Sequence, residues 1–118
     1  MPRSVFNWTD RRALAEDPKS RPEELSQAGR ELLEAGRPAE AANFFARAKD
    51  DAGLALVRSR AVGEGDHFLY SMTRQLQGAP ASASELGELA SRAAALGLGA
   101  YEESARAEMA RLESGSAD

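Results

Sequence analysis

Along residues 22–53 apolar positions recur every three or four residues and polar ones fill the gaps, the period of a helix with one buried face. Leu25, Ala28, Leu32 and Ala35 form a stripe, with Gly29 beside it and Leu33 at its edge, and predict a helix from about Pro22 to Ala35. Ser20 and Glu23 have the spacing of a capping box, and Pro22 lies in the first turn, where a missing N–H costs little. Gly36 is placed to close that helix in the left-handed conformation. Pro38 then opens a second helix over about 38–50, with Ala41, Phe45 and Ala48 as its stripe and Phe44 on its flank.

The pattern continues to the C-terminus. Leu54, Leu56, Val57, Ala61 and Val62 predict a helix over 51–62, broken by Gly63 and Gly65. Asp66 caps the next helix, which runs to about Gln77 with Leu69, Met72 and Leu76 on one face and Phe68 and Tyr70 at its margins. Gly78 to Ser82 reads as a linker. Ser82 or Ser84 caps a helix to about Leu96, striped by Leu86, Leu89, Ala90, Ala93 and Leu96 and ended by Gly97 and Gly99. The last helix spans about 100–113, with Tyr101, Ala105, Met109 and Leu112 on one side. Its other side carries Glu102, Glu103, Arg106, Glu108, Arg111 and Glu113, which suits the end of a stack. Residues 114–118 are expected to be a disordered tail.

Near the N-terminus, Val5, Phe6 and Trp8 show no period; Thr9 or Asp10 caps a short helix to about Glu16, which Pro18 ends. Strands are not expected. Alternating β-branched runs are missing, valine occurs only at Val5, Val57 and Val62, and isoleucine does not occur. The fold class is all-α, with about six or seven helices.

Residues 22–53 resemble a tetratricopeptide repeat, whose pattern places large and small residues at fixed offsets. The matching positions are Leu25, Ala28, Gly29, Leu32, Ala41, Phe45 and Ala48. Small residues at Gly29 and Ala41 would let paired helices approach closely. Leu25 replaces the usual Trp, Leu32 the usual Tyr and Gly53 the late Pro, and the match covers about a quarter of the chain. Gly36, Gly65 and Gly97 follow one another at 29 and 32 residues, and Leu86, Leu89, Ala90 and Ala93 reproduce the first half of the pattern. Tyr70, Arg74, Glu102 and Arg106 depart from its second half, and residues 56–76 look more like a HEAT-type helix pair.

The resemblance implies a short right-handed α-α superhelix of about three stacked hairpins. They would lie at 22–50, 51–77 and 83–113, in one domain over 1–113. It also implies a concave face that binds a peptide or partner protein. Carried onto the matching unit, the groove-facing positions are Glu23, Ser26, Gln27, Arg30, Leu33 and Glu34. Some members of the family grip a C-terminal carboxylate with Lys and Asn at such positions. Ser26 and Arg30 stand there instead, so that clamp is not supported, although Arg30 could pair bidentately with a carboxylate.

Composition narrows the alternatives. The chain has 118 residues, 42% apolar and 29% charged, which points to one domain and fits a thin helical array. Its net charge is −4 and its 13 Arg and 2 Lys are interleaved with acids, so nucleic acid is not an expected partner. The arginine excess fits a GC-rich bacterial genome. With no Cys, thiolate chemistry and disulfides are excluded. The N-terminus lacks the apolar run of a signal peptide, and no segment approaches the ~20 apolar residues that span a bilayer. A soluble cytoplasmic protein, without a membrane partner, is the expectation.

Candidate chemistry is sparse. His67, the only histidine, sits near Glu64 and Asp66, a conceivable metal or acid/base group. These residues fall at a helix start, where caps are expected, so they read as structural. There is no G-x-S-x-G elbow and no phosphate loop, and the pairs Asp50-Asp51 and Glu102-Glu103 read as solvated faces. No catalytic residue, cofactor site or metal site is expected. The expected function is a non-enzymatic interaction module, an adaptor or scaffold. A self-associating homodimer is the alternative, followed by a small-ligand sensor or enzyme accessory domain. Phe44 cannot share the seam of Phe45, so it either packs against another hairpin or meets the partner. Phe6 and Trp8 pose the same choice between an edge plug and a partner anchor.

Overall fold

A computed structural model of the chain describes residues 21–116. It contains α1 (Pro22–Glu34), α2 (Pro38–Ala48), α3 (Asp51–Gly63), α4 (His67–Gln77), α5 (Ala83–Ala95) and α6 (Gly99–Ser116). The described fold is all-α, with no strand among the described residues. Two compact units divide the chain, residues 1–57 and 58–118, and their boundary falls within α3. The short helix expected over 9–16, with Phe6 and Trp8, lies outside the described residues.

In the first unit α1 packs along α2. The connection is only residues 35–37, which makes the two helices a hairpin. It closes by a pair of bonds: Gly36 N–H donates to Leu33 O at 3.1 Å and Arg37 N–H to Leu32 O at 2.9 Å. The same pair recurs after α2, where Lys49 N–H donates to Ala46 O and Asp50 N–H to Phe45 O. There the left-handed position, φ 56°, is held by Lys49, the one non-glycine with positive φ among the described residues. Leu25, Ala28, Leu32, Ala41 and Phe45 are buried between the helices, as their spacing predicts.

Phe45 explains two glycines. A Cβ on Gly29 would lie 2.7 Å from Phe45 Cε1, and one on Gly53 would lie 2.6 Å from the same atom. Ordinary carbon contacts are about 3.5–4.0 Å, so α1 and α3 close on this ring only because both positions lack a side chain. Gly29 is thus the close-approach residue its pattern suggests. Gly53, which the repeat pattern aligns with a proline, performs the same task on α3.

The start of α1 corrects one expectation. Arg21 is extended and Pro22 is the first helical residue, so the third is Glu24. Glu24 Oε1 accepts from the Arg21 N–H at 3.1 Å, and Glu23 faces solvent one position earlier. Ser20 lies outside the described residues.

In the second unit α6 packs along α5 and touches α4. Asp66 caps α4 by accepting from Leu69 N–H at 3.0 Å, and Ser82, rather than Ser84, caps α5 by accepting from Glu85 N–H at 3.2 Å. Gly65 has φ 64°, and a Cβ there would lie 2.6 Å from the Ala93 backbone nitrogen, so only glycine fits this turn against α5. Leu86, Leu89, Ala90, Ala93 and Ala105 are buried.

The buried face of α4 is rotated from the expected one. Tyr70 and Thr73 are fully buried with Leu69, while Leu76 is 37% and Phe68 65% exposed. Their polar atoms are satisfied: Thr73 Oγ1 donates to Leu69 O at 2.8 Å, and the Tyr70 hydroxyl finds charged partners. Leu96, expected on the stripe of α5, is 60% exposed because it follows the last helical turn. α6 continues to Ser116, past the expected end near 113 and into the segment read as a disordered tail.

Candidate functional site

The seven positions expected to meet a partner lie on α1 and α2 of the first unit. Burial of Leu25, Ala28, Gly29 and Leu32 turns the opposite side of α1 outward. Glu23, Gln27, Arg30 and Glu34 are exposed, one helical turn apart in succession. Gln27 Nε2 donates to Glu31 Oε2 at 3.1 Å, a bond along the helix. Leu33 is half-buried at the edge of this stripe.

Ser26 and Arg30 turn toward an internal partner, Asp50, which the sequence reading left among the solvated acids. The Ser26 hydroxyl donates to Asp50 Oδ2 at 2.8 Å, and Arg30 Nη1 lies 3.9 Å from the same oxygen. Asp50 Oδ1 also accepts from Gly53 N–H at 2.9 Å and so caps α3. The Gly53 N–H, then the Ser26 hydroxyl, hold the Asp50 carboxyl below its ordinary range against the opposing effect of burial, with Arg30 adding to the lowering. One carboxylate therefore ties α1 to the start of α3, while Arg30 lies 3.9 Å from it and stays 51% exposed. Ser26 serves this tie and is half-buried.

Phe44 is 5% exposed. Of the two readings for it, packing describes what is seen, and Phe44 leaves the set of side chains a partner could touch.

A second polar cluster, in the second unit, was not foreseen because its members lie far apart in the chain. Arg58 donates through Nε and Nη2 to Glu85 Oε1, at 2.9 and 2.6 Å, and through Nη1 to Gln77 Oε1 at 2.9 Å. Its Nη2 also reaches Pro80 O at 3.0 Å and the Tyr70 hydroxyl at 3.2 Å, and its guanidinium lies 5.1 Å from the Tyr70 ring centre. The Tyr70 hydroxyl donates to Glu85 Oε1 at 2.8 Å and accepts from Ser82 N–H at 3.0 Å. Burial would raise the Glu85 carboxyl, but bonds from Arg58 and Tyr70 outweigh it and hold the group below its ordinary range. Arg58 thus joins Gln77 and Tyr70 of α4, Pro80 of the linker and Glu85 of α5, which marks the cluster as a structural clamp.

His67 meets a third partner. Its Nε2 lies 2.8 Å from Glu108 Oε1 on α6, with both side chains largely buried. Glu64, its expected neighbour, instead accepts from Arg60 at 2.8 Å, and Asp66 caps the helix. Among the described residues no three His, Cys, Asp or Glu side chains group as metal ligands would. A shallow open depression at the turn between α5 and α6 is lined by Gly97, Leu98, Gly99, Ala100 and Tyr101 and presents no charged side chain. No helix among the described residues is long and apolar enough to cross a membrane. No family model matches the chain, and neither a curated protein nor a solved structure does.

Proposed function

We propose that this chain is a non-enzymatic interaction module, built of tetratricopeptide-like hairpins in a right-handed superhelix, that offers the outer stripe of α1 to a peptide or partner protein. The observation that carries the reading is the division of α1 into two faces. One is dry and locked on Phe45. The other presents Glu23, Gln27, Arg30 and Glu34 in register, all exposed. Polar groups held on a rigid helix bind with little ordering cost, which is what a capture surface needs. A cysteine-free chain suits the reducing cytoplasm.

The test is affinity capture from the native source with the wild-type chain and a triple variant, Glu23→Ala, Gln27→Ala and Glu34→Ala. Those side chains are exposed, so melting is expected to be unchanged and the captured partner lost. Recovery of the same partner at equal strength would remove α1 from the binding surface.

A second reading, self-association, draws on a different observation: Phe68, Leu96 and Leu98 of the second unit are exposed. Sedimentation separates the two, since a monomer at every concentration eliminates the dimer.

A further inference from the structure

We infer that the outer stripe of α1 takes a basic segment, one carrying two or three Lys or Arg side chains along about 16 Å, and this rests on the docking role proposed above for that stripe. α1 carries Glu23, Glu24, Glu31 and Glu34 against the single cation Arg30. Their distribution round the helix decides what a partner meets. Successive residues turn by about 100°, so Glu23, Gln27 and Glu34 stand within about 40° of one another along the middle of the exposed face. Arg30 and Ser26 lie on one flank, beside Asp50: Arg30 Nη1 is 3.9 Å and the Ser26 hydroxyl 2.8 Å from Asp50 Oδ2. Glu31 and Glu24 lie on the other flank, about 100–120° round from Arg30. The one cation therefore sits next to a carboxylate of its own chain, and the middle and far flank of the face are acidic.

Several other acids are matched within the chain. Glu40 lies 2.7 Å from Arg37, Glu64 2.8 Å from Arg60 and Glu85 2.6 Å from Arg58. Glu23 and Glu34, in contrast, are exposed and have no ionic or hydrogen-bonding partner among the described residues. Glu31 accepts from the neutral Gln27. Glu31 and Glu34 also stand in the last turn of α1, which contains no basic residue. The helix end there carries partial negative charge, so acids are locally unfavourable and an arriving cation is favoured twice, by the carboxylates and by the helix end. Arg37, just past that end, is committed to Glu40. An acidic ligand would instead meet the outward carboxylates before it reached Arg30.

The test is fluorescence anisotropy of the full chain with two labelled peptides of about 12 residues, long enough to lie along α1, one alternating Lys with Ala and the other Glu with Ala. In about 10 mM salt the Lys peptide is expected to bind about tenfold more tightly than the Glu peptide, and to weaken about tenfold at about 150 mM as screening sets in. The variant Glu23→Gln, Glu31→Gln and Glu34→Gln keeps the shape without the charge and should bind the Lys peptide about tenfold more weakly. The variant Glu88→Gln, Glu103→Gln and Glu113→Gln makes the same change in net charge on exposed acids of the second unit and should lose less than about twofold. Equal losses in the two variants would mean a general attraction to an acidic chain and overturn the inference, as would tighter binding of the Glu peptide. If the Lys peptide fails to bind while Glu23→Ala, Gln27→Ala and Glu34→Ala together still abolish partner capture, docking on α1 stands and its basic ligand falls. If that alanine variant keeps the partner, the docking reading falls and this inference with it.

Discussion

Replacing Gly53 with alanine adds one methyl group at the most crowded point of the first unit. The new Cβ would stand 2.5 Å from Phe45 Cγ and 2.6 Å from Cε1, about 1 Å inside ordinary contact. The Phe45 ring is fully buried, and on the α1 side there is not even room for a Cβ at Gly29, so the ring has little room to retreat. Overpacking of this kind costs about 1–3 kcal/mol. Alanine returns up to about 1 kcal/mol through its better helix propensity. The net expectation is a loss of about 1–2 kcal/mol, or about 5–10 °C in melting temperature. Gly63→Ala is the control on the same helix: nothing lies within 4 Å of its added Cβ, so only the propensity gain acts. Thermal unfolding followed by circular dichroism compares the two. If Gly53→Ala melts as high as Gly63→Ala, close approach around Phe45 is not what these glycines provide. Phe45→Leu in the Gly53→Ala background sharpens the test, because a smaller side chain should recover part of the loss.

Three further outcomes are expected. Lys49→Gly should raise stability by about 0.5–1 kcal/mol in a thermal melt, because φ 56° burdens a residue with a Cβ; an unchanged or lower melting temperature would contradict the turn geometry. Tyr70→Phe should cost about 1–3 kcal/mol by urea unfolding, since it strands the Ser82 N–H and removes a donor to Glu85; a neutral effect would mean that the clamp does not hold the linker. Asp50 and Glu85 are both held below the ordinary carboxylate range, so their stabilisation is present above about pH 5 and drains away as the pH falls through the folded-state values. Melting temperature should therefore fall between pH 5 and pH 3, less steeply in Asp50→Asn, and an unaltered slope in that variant would remove Asp50 from the account.

Helices and their ends were legible because they depend on neighbours in the chain. Gly36, Gly65, Gly78 and Gly97 punctuate the helical period, and each ends a helix with positive φ. Asp66 and Ser82 cap helices because a short acceptor three residues before a free N–H needs nothing else. Where the local pattern erred, a distant partner was responsible. Tyr70 was expected at the margin of α4, but it is fully buried and its hydroxyl meets Arg58 and Glu85, which lie 12 and 15 positions away. Of the expected binding positions, Glu23, Gln27, Arg30 and Glu34 are exposed, because an amphipathic helix must turn one side outward. Ser26 and Phe44 were diverted inward by Asp50 and the core.

By itself the sequence determined that the described chain is helical, where most helices stop and which stripe of α1 is dry, since these follow from period and capping within a few residues. Tertiary structure alone decided that Gly53 joins Gly29 around Phe45, that Asp50 ties α1 to α3, and that Arg58 and Glu108 find Glu85 and His67. Those are meetings of residues up to 41 positions apart, and they depend on how the helices pack, which no local spacing encodes.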